Sequence, residues 1–144
     1  MTLRHICKNI TLFIIGGIIY YFIETLWRGY SHVSMFFVGG ICFVLIGLIN
    51  EYLSFDTPLW KQQLIAAVIV TSVELAAGIV LNKWLKLDIW DYGNLPLNLW
   101  GQVSLYYSLG WFVLSAAAII LDDWLRYFLF KEEKPHYKLG VYLI

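Results

Sequence analysis

The sequence is short of charge. Of its 144 residues only 14% are Asp, Glu, Lys or Arg, and 60% are hydrophobic. A soluble domain carries about 25% charged and about 45–50% apolar residues. A chain this small exposes much of its surface and needs polar residues to cover it. The shortage excludes a soluble monomer and a disordered chain. Ten Lys and Arg balance ten Asp and Glu. No basic stripe could therefore follow phosphates, and nucleic acid is not an expected partner. The two cysteines, Cys7 and Cys42, make no disulfide framework and no Cys-x-x-Cys. His5, His32 and His136 are scattered, so no metal-ligand spacing exists, and no phosphate-binding glycine loop occurs. No Ser, His and Asp set falls at one membrane depth. The sequence predicts no metal, no cofactor and no catalytic residue. It leans away from an enzyme.

What is present is apolar sequence in long runs. A membrane helix needs roughly 20 mostly apolar residues. Four segments qualify: about Asn9 to Trp27, Val33 to Leu53, Leu64 to Trp84 and Leu99 to Leu121. The expected fold is all-α, a polytopic membrane protein of four transmembrane helices. The connection between the third and fourth is expected to be partly re-entrant and external. The first run is longer than a signal-peptide core and no small-x-small site follows it, so it reads as a retained helix. Arg4, Lys8, Lys61, Arg126, Lys131, Lys134 and Lys138 fall on one side, and Arg28, Lys83 and Lys86 on the other. That asymmetry places both termini in the cytoplasm of a multi-pass inner or plasma membrane protein. Trp27, Trp60, Trp84, Trp90, Trp100 and Trp124 fall near predicted span ends, where amphipathic rings belong. Residues 122–130 are too short to cross and are expected to continue the fourth helix along the interface. Residues 1–130 are read as one transmembrane domain and 131–144 as a polar cytoplasmic tail.

Ionisable groups inside a span are costly and usually face the bundle interior. Glu24 lies one turn before Arg28, and the two can pair at i,i+4. Glu74 has no basic residue at i±3 or i±4. Its partner must be another helix, water, a ligand or a proton. Small and polar residues form a stripe on each helix: Gly16, Tyr20, Glu24, Arg28; Gly40, Gly47, Glu51; Thr71, Glu74, Gly78, Asn82; and Gly101, Ser104, Ser108, Ser115. Such stripes let membrane helices approach closely, either within one bundle or against a second copy. The connection from Asp88 to Gln102 mixes turn formers with Ile, Trp, Tyr and Leu. It is expected to fold back over the helix ends. Glu24, Arg28, Glu74, Asn82, Asp91, Tyr92, Asn98 and Gln102 are the candidate ligand-binding residues of an outward-facing polar pocket. A weak internal repeat would match Glu24 to Glu74 and Gly40 to Gly101.

These residues resemble the ABC-transporter type IV (CmpB-like) family of small multi-pass membrane proteins. The likeness rests on the Glu24-to-Arg28 end of the first span, on Val73-Glu74-Leu75 with Gly78, and on Trp90-Asp91-Tyr92 followed by Pro96, Asn98 and Gly101. It covers most of residues 15–125. The resemblance implies a permease-like subunit; the outward-facing polar pocket points to a small polar or cationic solute. Four spans are few for a transport path, so the lipid-embedded chain is expected to form a homo-oligomer or to work with a separate ATPase subunit. The alternatives are a membrane-embedded lipid-handling protein or enzyme, and a structural module.

Overall fold

Each helix boundary has a local cause. A computed structural model of the chain describes residues 2–139 and 142–143. Helix α1 runs Leu3–Arg28; Thr2 caps its start by accepting the His5 N–H. Gly29 ends it in the left-handed conformation, φ +86, its N–H returning to the Thr25 carbonyl. Helix α2, Val33–Gly47, is capped by His32 and followed at once by the short α3, Ile49–Tyr52. Pro58 precedes α4, Leu59–Gly78, which continues as a π-helical segment over Ile79–Trp84. A two-residue hairpin follows, β1 (Asn98–Leu99) paired antiparallel with β2 (Val103–Ser104). Ser104 then caps α5, Leu105–Phe130. Near the C-terminus β3, Lys138–Leu139, pairs with β4, Tyr142–Leu143.

Four helical stretches are long and apolar enough to cross a membrane: Leu3–Arg28, Val33–Tyr52, Leu59–Trp84 and Leu105–Phe130. The fold is all-α and polytopic, as expected. Three starts differ from the sequence reading: the first span begins at Leu3, the third at Leu59 and the fourth at Leu105. The fourth helix starts at Leu105 because the hairpin occupies residues 98–104, and Ser104 is the first residue able to cap it. It continues without a break to Phe130. Asp122, Asp123 and Arg126 are buried on it.

The bundle is two antiparallel hairpins. Helix α1 packs mainly on α2 and α4 on α5, while α2 touches both α4 and α5. The α1–α2 contact is reciprocal between glycines and aromatic rings. Gly16 accepts Phe43, Gly17 accepts Phe36, Gly39 accepts Tyr20, and Gly40 accepts Phe13. Lipid chains are as apolar as leucine, so burial alone does not hold these helices together. Close van der Waals contact does. A β-carbon at Gly40 would sit 2.8 Å from the Phe13 carbonyl oxygen, a backbone atom that cannot rotate away. Ile46, Ile49, Leu59, Val70 and Ile119 form the core between the hairpins, with Phe55 and Tyr137 closing it at the end that carries both termini. The proposed Gly40–Gly101 equivalence does not hold: Gly40 lies inside a helix, and Gly101 is a hairpin turn residue at φ +70.

Gly40→Leu should lower stability by about 1–3 kcal/mol through overpacking. Gly110→Leu, where nothing lies within 4 Å, should change it by less than about 0.5 kcal/mol. Thermal unfolding in detergent compares the two, and equal losses would contradict the packing described.

Candidate functional site

The expected site residues gather where α1 ends, α4 ends and α5 begins. On α1, Tyr20, Glu24 and Arg28 share one face by their four-residue spacing. Arg28 Nη2 lies 2.6 Å from Glu24 Oε1, and the Ser31 hydroxyl donates to the same carboxylate at 3.3 Å. Arg28 Nη1 donates to the Ile89 carbonyl at 2.7 Å, which ties the α4–α5 connection to α1.

Helix α4 supplies Glu74 and Gly78, and its π-helical continuation supplies Asn82. Gly78 leaves room for Gln102: a β-carbon there would meet Gln102 Oε1 at 2.5 Å. Asn82 then joins two parts of the connection. Its Oδ1 accepts the Ile89 N–H at 2.7 Å, and its Nδ2 donates to Gln102 Oε1 at 2.8 Å. Gln102 Nε2 donates to the Trp100 carbonyl, and the Trp90 indole N–H donates to the Gln102 carbonyl at 2.9 Å. The connection thus folds back onto α4 through neutral amide and indole bonds, with Ile89, Gln102 and Val103 buried beneath it. Asp91 and Asn98 act inside the connection. Asp91 Oδ1 accepts the Gly93 N–H, while Asn98 bonds the Leu95 carbonyl and the Gly101 N–H. Both shape turns, and neither bonds Glu74.

Glu74 is buried, 8% exposed, and accepts the Trp111 indole N–H at 2.8 Å. Among the described residues it takes part in no ion pair. Tyr20 packs on Trp111 with ring centroids 5.9 Å apart. Tyr92 stacks on Tyr107 at 4.4 Å, nearly parallel. Burial, then the nearby Glu74 carboxylate, push the Tyr92 phenol above its ordinary range; Tyr107 and Glu24 add to this and Arg28 opposes it. The result is a neutral hydroxyl donor beside two carboxylates and a guanidinium.

The structure therefore pairs Glu24 with Arg28, Glu74 with Trp111 and Asn82 with Gln102, and the Glu74, Glu24 and Arg28 charges all act on the Tyr92 phenol. Asp91 and Asn98 stay in the connection's own turns. Sequence reasoning missed Trp111 and Tyr107, and named Tyr20 only as part of the first helix's polar stripe. Trp111 had a signal, because it is the one tryptophan of seven not assigned to a span end. A second polar cluster at the opposite end was also missed. There Arg126 Nε donates to Asp122 Oδ2 at 2.8 Å, and its Nη1 donates to Glu51 Oε1 at 2.7 Å. Asn50 and the Tyr137 hydroxyl both donate to Asp123 Oδ2, and Lys8 donates to Glu132. The signal was the Asp pair four residues before an arginine on a continuing helix.

A family model described as Putative ABC-transporter type IV matches residues 11–142. The chain belongs to this family. No solved structure matches it. The span that matches the type IV family contains the whole loop-end site and most of the opposite cluster. This family member has four helices long and apolar enough to cross a membrane, with one polar cluster at each end of the bundle.

Asn82→Ala leaves the Ile89 N–H without its acceptor and Gln102 Oε1 without a donor. Each lost buried partner costs about 1–3 kcal/mol. Hydrogen exchange of the Ile89 amide should speed by at least tenfold while the α1–α2 amides keep their rates. Unchanged exchange at Ile89 would show that Asn82 does not hold the connection down.

Proposed function

We propose that the chain is the membrane-spanning component of a transporter for a small cationic or polar solute, and that the Glu74 cluster binds it. One observation carries this reading: Glu74 is buried in a span with a neutral indole as its hydrogen-bond partner and no ion pair among the described residues. Glu24 and Arg28 compensate each other. The extra negative charge at Glu74 is therefore open to a positive ligand. An isolated buried carboxylate is costly, and a bound cation removes that cost. Aromatic rings are close by in the chain's packing: Trp111 bonds Glu74, Tyr20 packs on Trp111, and Tyr92 stacks on Tyr107. They favour an organic ammonium, whose charge sits well over such rings.

In this reading the eight candidate residues divide their work. Glu74 supplies charge, Tyr92 donates a hydrogen bond, and the Glu24–Arg28 pair orients the ligand. Asn82 and Gln102 latch the connection as a lid, and Asp91 and Asn98 keep its turns. The lid opens the pocket toward the side opposite the termini, and the termini lie in the cytoplasm of an inner or plasma membrane. No phosphate-binding loop is present in the sequence, so energy for transport comes from a separate ATPase subunit, with the chain assembling beside it as a homo-oligomer.

A thermal-shift series in detergent with tetramethylammonium, choline and spermidine tests the binding step. At least one should raise the wild-type Tm in a saturable way, and a ligand at 100 times its Kd adds about 2.7 kcal/mol. Glu74→Gln should remain folded and lose the shift. Equal shifts in wild type and variant, or none with any of the three, would remove Glu74 as the binding group and favour a structural or lipid-handling role.

A further inference from the structure

The cluster at the terminus end has no part in the reading above. It joins α1, α3, α5 and the segment after α5. The titratable groups that face one another there are Lys8 from α1, Glu51 from α3, Asp122, Asp123 and Arg126 from α5, and Glu132 and Tyr137 beyond it. Four carboxylates thus meet two cations. Lys8 Nζ lies 3.0 Å from Glu132 and 3.9 Å from Glu51, and Arg126 Nη1 lies 2.7 Å from Glu51 and 3.9 Å from Glu132. Each cation is shared between the same two glutamates.

Burial makes the imbalance expensive. Asp122 is fully buried, Asp123 and Arg126 are each 4% exposed, and a carboxylate without a full counter-charge is disfavoured there. Hydrogen bonding does not finish the task. Asp122 Oδ1 and Arg126 Nη2 are buried with no hydrogen-bond partner among the described residues. Gly47 opposes both atoms: a β-carbon on it would lie 2.5 Å from Asp122 Oδ1 and 2.7 Å from Arg126 Nη2. Glu51 and Glu132 are less covered, their side chains 37% and 28% exposed. The cluster therefore has a dry interior at Asp122 and a wet mouth at the two glutamates. A metal ion is a poor occupant, since no three described His, Cys, Asp or Glu residues are arranged to hold one.

We propose that the Asp122–Arg126–Glu51–Glu132 cluster is a proton-binding site that exchanges with water on the side of the termini. The proton comes from bulk water through the Glu51–Glu132 mouth and is shared over the carboxylates; no bond other than O–H is made or broken. Interacting carboxylates of this kind titrate as a set. Burial first, then the adjoining Glu51 carboxyl, hold Glu132 above the usual carboxylate range, against the pull of Lys8. The sign follows for stability. A carboxyl raised on folding contributes stability below its unfolded value and loses that contribution as pH rises through its folded value.

Infrared titration of the full chain in phosphatidylcholine vesicles tests this, with Glu74→Gln as the background so that the loop-end site is silent. Between pH 4 and pH 9 a protonated-carboxyl band should titrate above the ordinary carboxylate range. Adding Glu132→Gln should remove about one carboxyl equivalent and flatten the fall of Tm with rising pH, because the variant has no proton to lose. Adding Asp122→Asn should shift what remains. Identical band area and identical Tm profiles with and without Glu132→Gln would overturn the proposal. So would loss of the band on exchanging choline for sodium, which would make the occupant an alkali cation.

Discussion

A carboxylate inside a bilayer has no water to fall back on, and this constraint organises the molecule. Each acidic side chain on a span must find its partners within the protein. Glu24 finds Arg28, Glu51 and Asp122 find Arg126, Asp123 finds Asn50 and Tyr137, and Glu74 finds Trp111. Three of these six pairings, Glu51–Arg126, Asn50–Asp123 and Glu74–Trp111, cross between helices, so they also fix which helix lies beside which. The apolar surface cannot do this, because it is equally content against lipid.

The glycines make those meetings geometrically available. Aromatic rings seated on Gly16, Gly39 and Gly40 bring α1 close to α2. That leaves α2 free to reach α4 and α5 with its other face. Gly47 and Gly78 then do at the two ends what the others do at the centre. Gly47 admits the Asp122–Arg126 pair, and Gly78 admits Gln102. In both places a missing side chain on one helix makes room for a polar group from elsewhere. The packing and the polar chemistry are therefore one arrangement.

This coupling explains what could be read from the sequence. The four spans were legible because apolar run length is a local property. The loop-end residues were legible because Glu74 lacks a local partner and the connection mixes turn formers with aromatics. The start of α5 was misplaced by six residues, because Leu99 to Ser104 is apolar enough for a span yet forms a hairpin that only Asn98, Gly101 and the Ser104 cap reveal. The terminus-end cluster was illegible for a different reason. Asp122, Asp123 and Arg126 look like a solvated helix end, and their partners Asn50 and Glu51 lie 73 and 75 residues away in the chain. Tyr137 reads as part of a polar tail, yet it is 3% exposed and sits in the core. Only the folded contacts turn these scattered residues into one group.

The two ends differ in how easily they can move. The connection over Glu74 is held by neutral hydrogen bonds, each worth about 0.5–1.5 kcal/mol net, and by one charged bond from Arg28 to the Ile89 carbonyl, worth about 1.5–3 kcal/mol. It also carries Lys86, Asp88, Leu97 and Trp100 in the left-handed region, at φ between 52 and 56. Such residues cost about 1–3 kcal/mol each, so the strain offsets much of what the latch supplies. At the other end, removing one member of a buried ion pair costs about 3–5 kcal/mol, and the described backbone has one left-handed residue, Lys131, outside the cluster. A molecule built this way opens first at the connection and keeps its terminus end assembled. That asymmetry fits the proposed entrance to Glu74 from the connection's side.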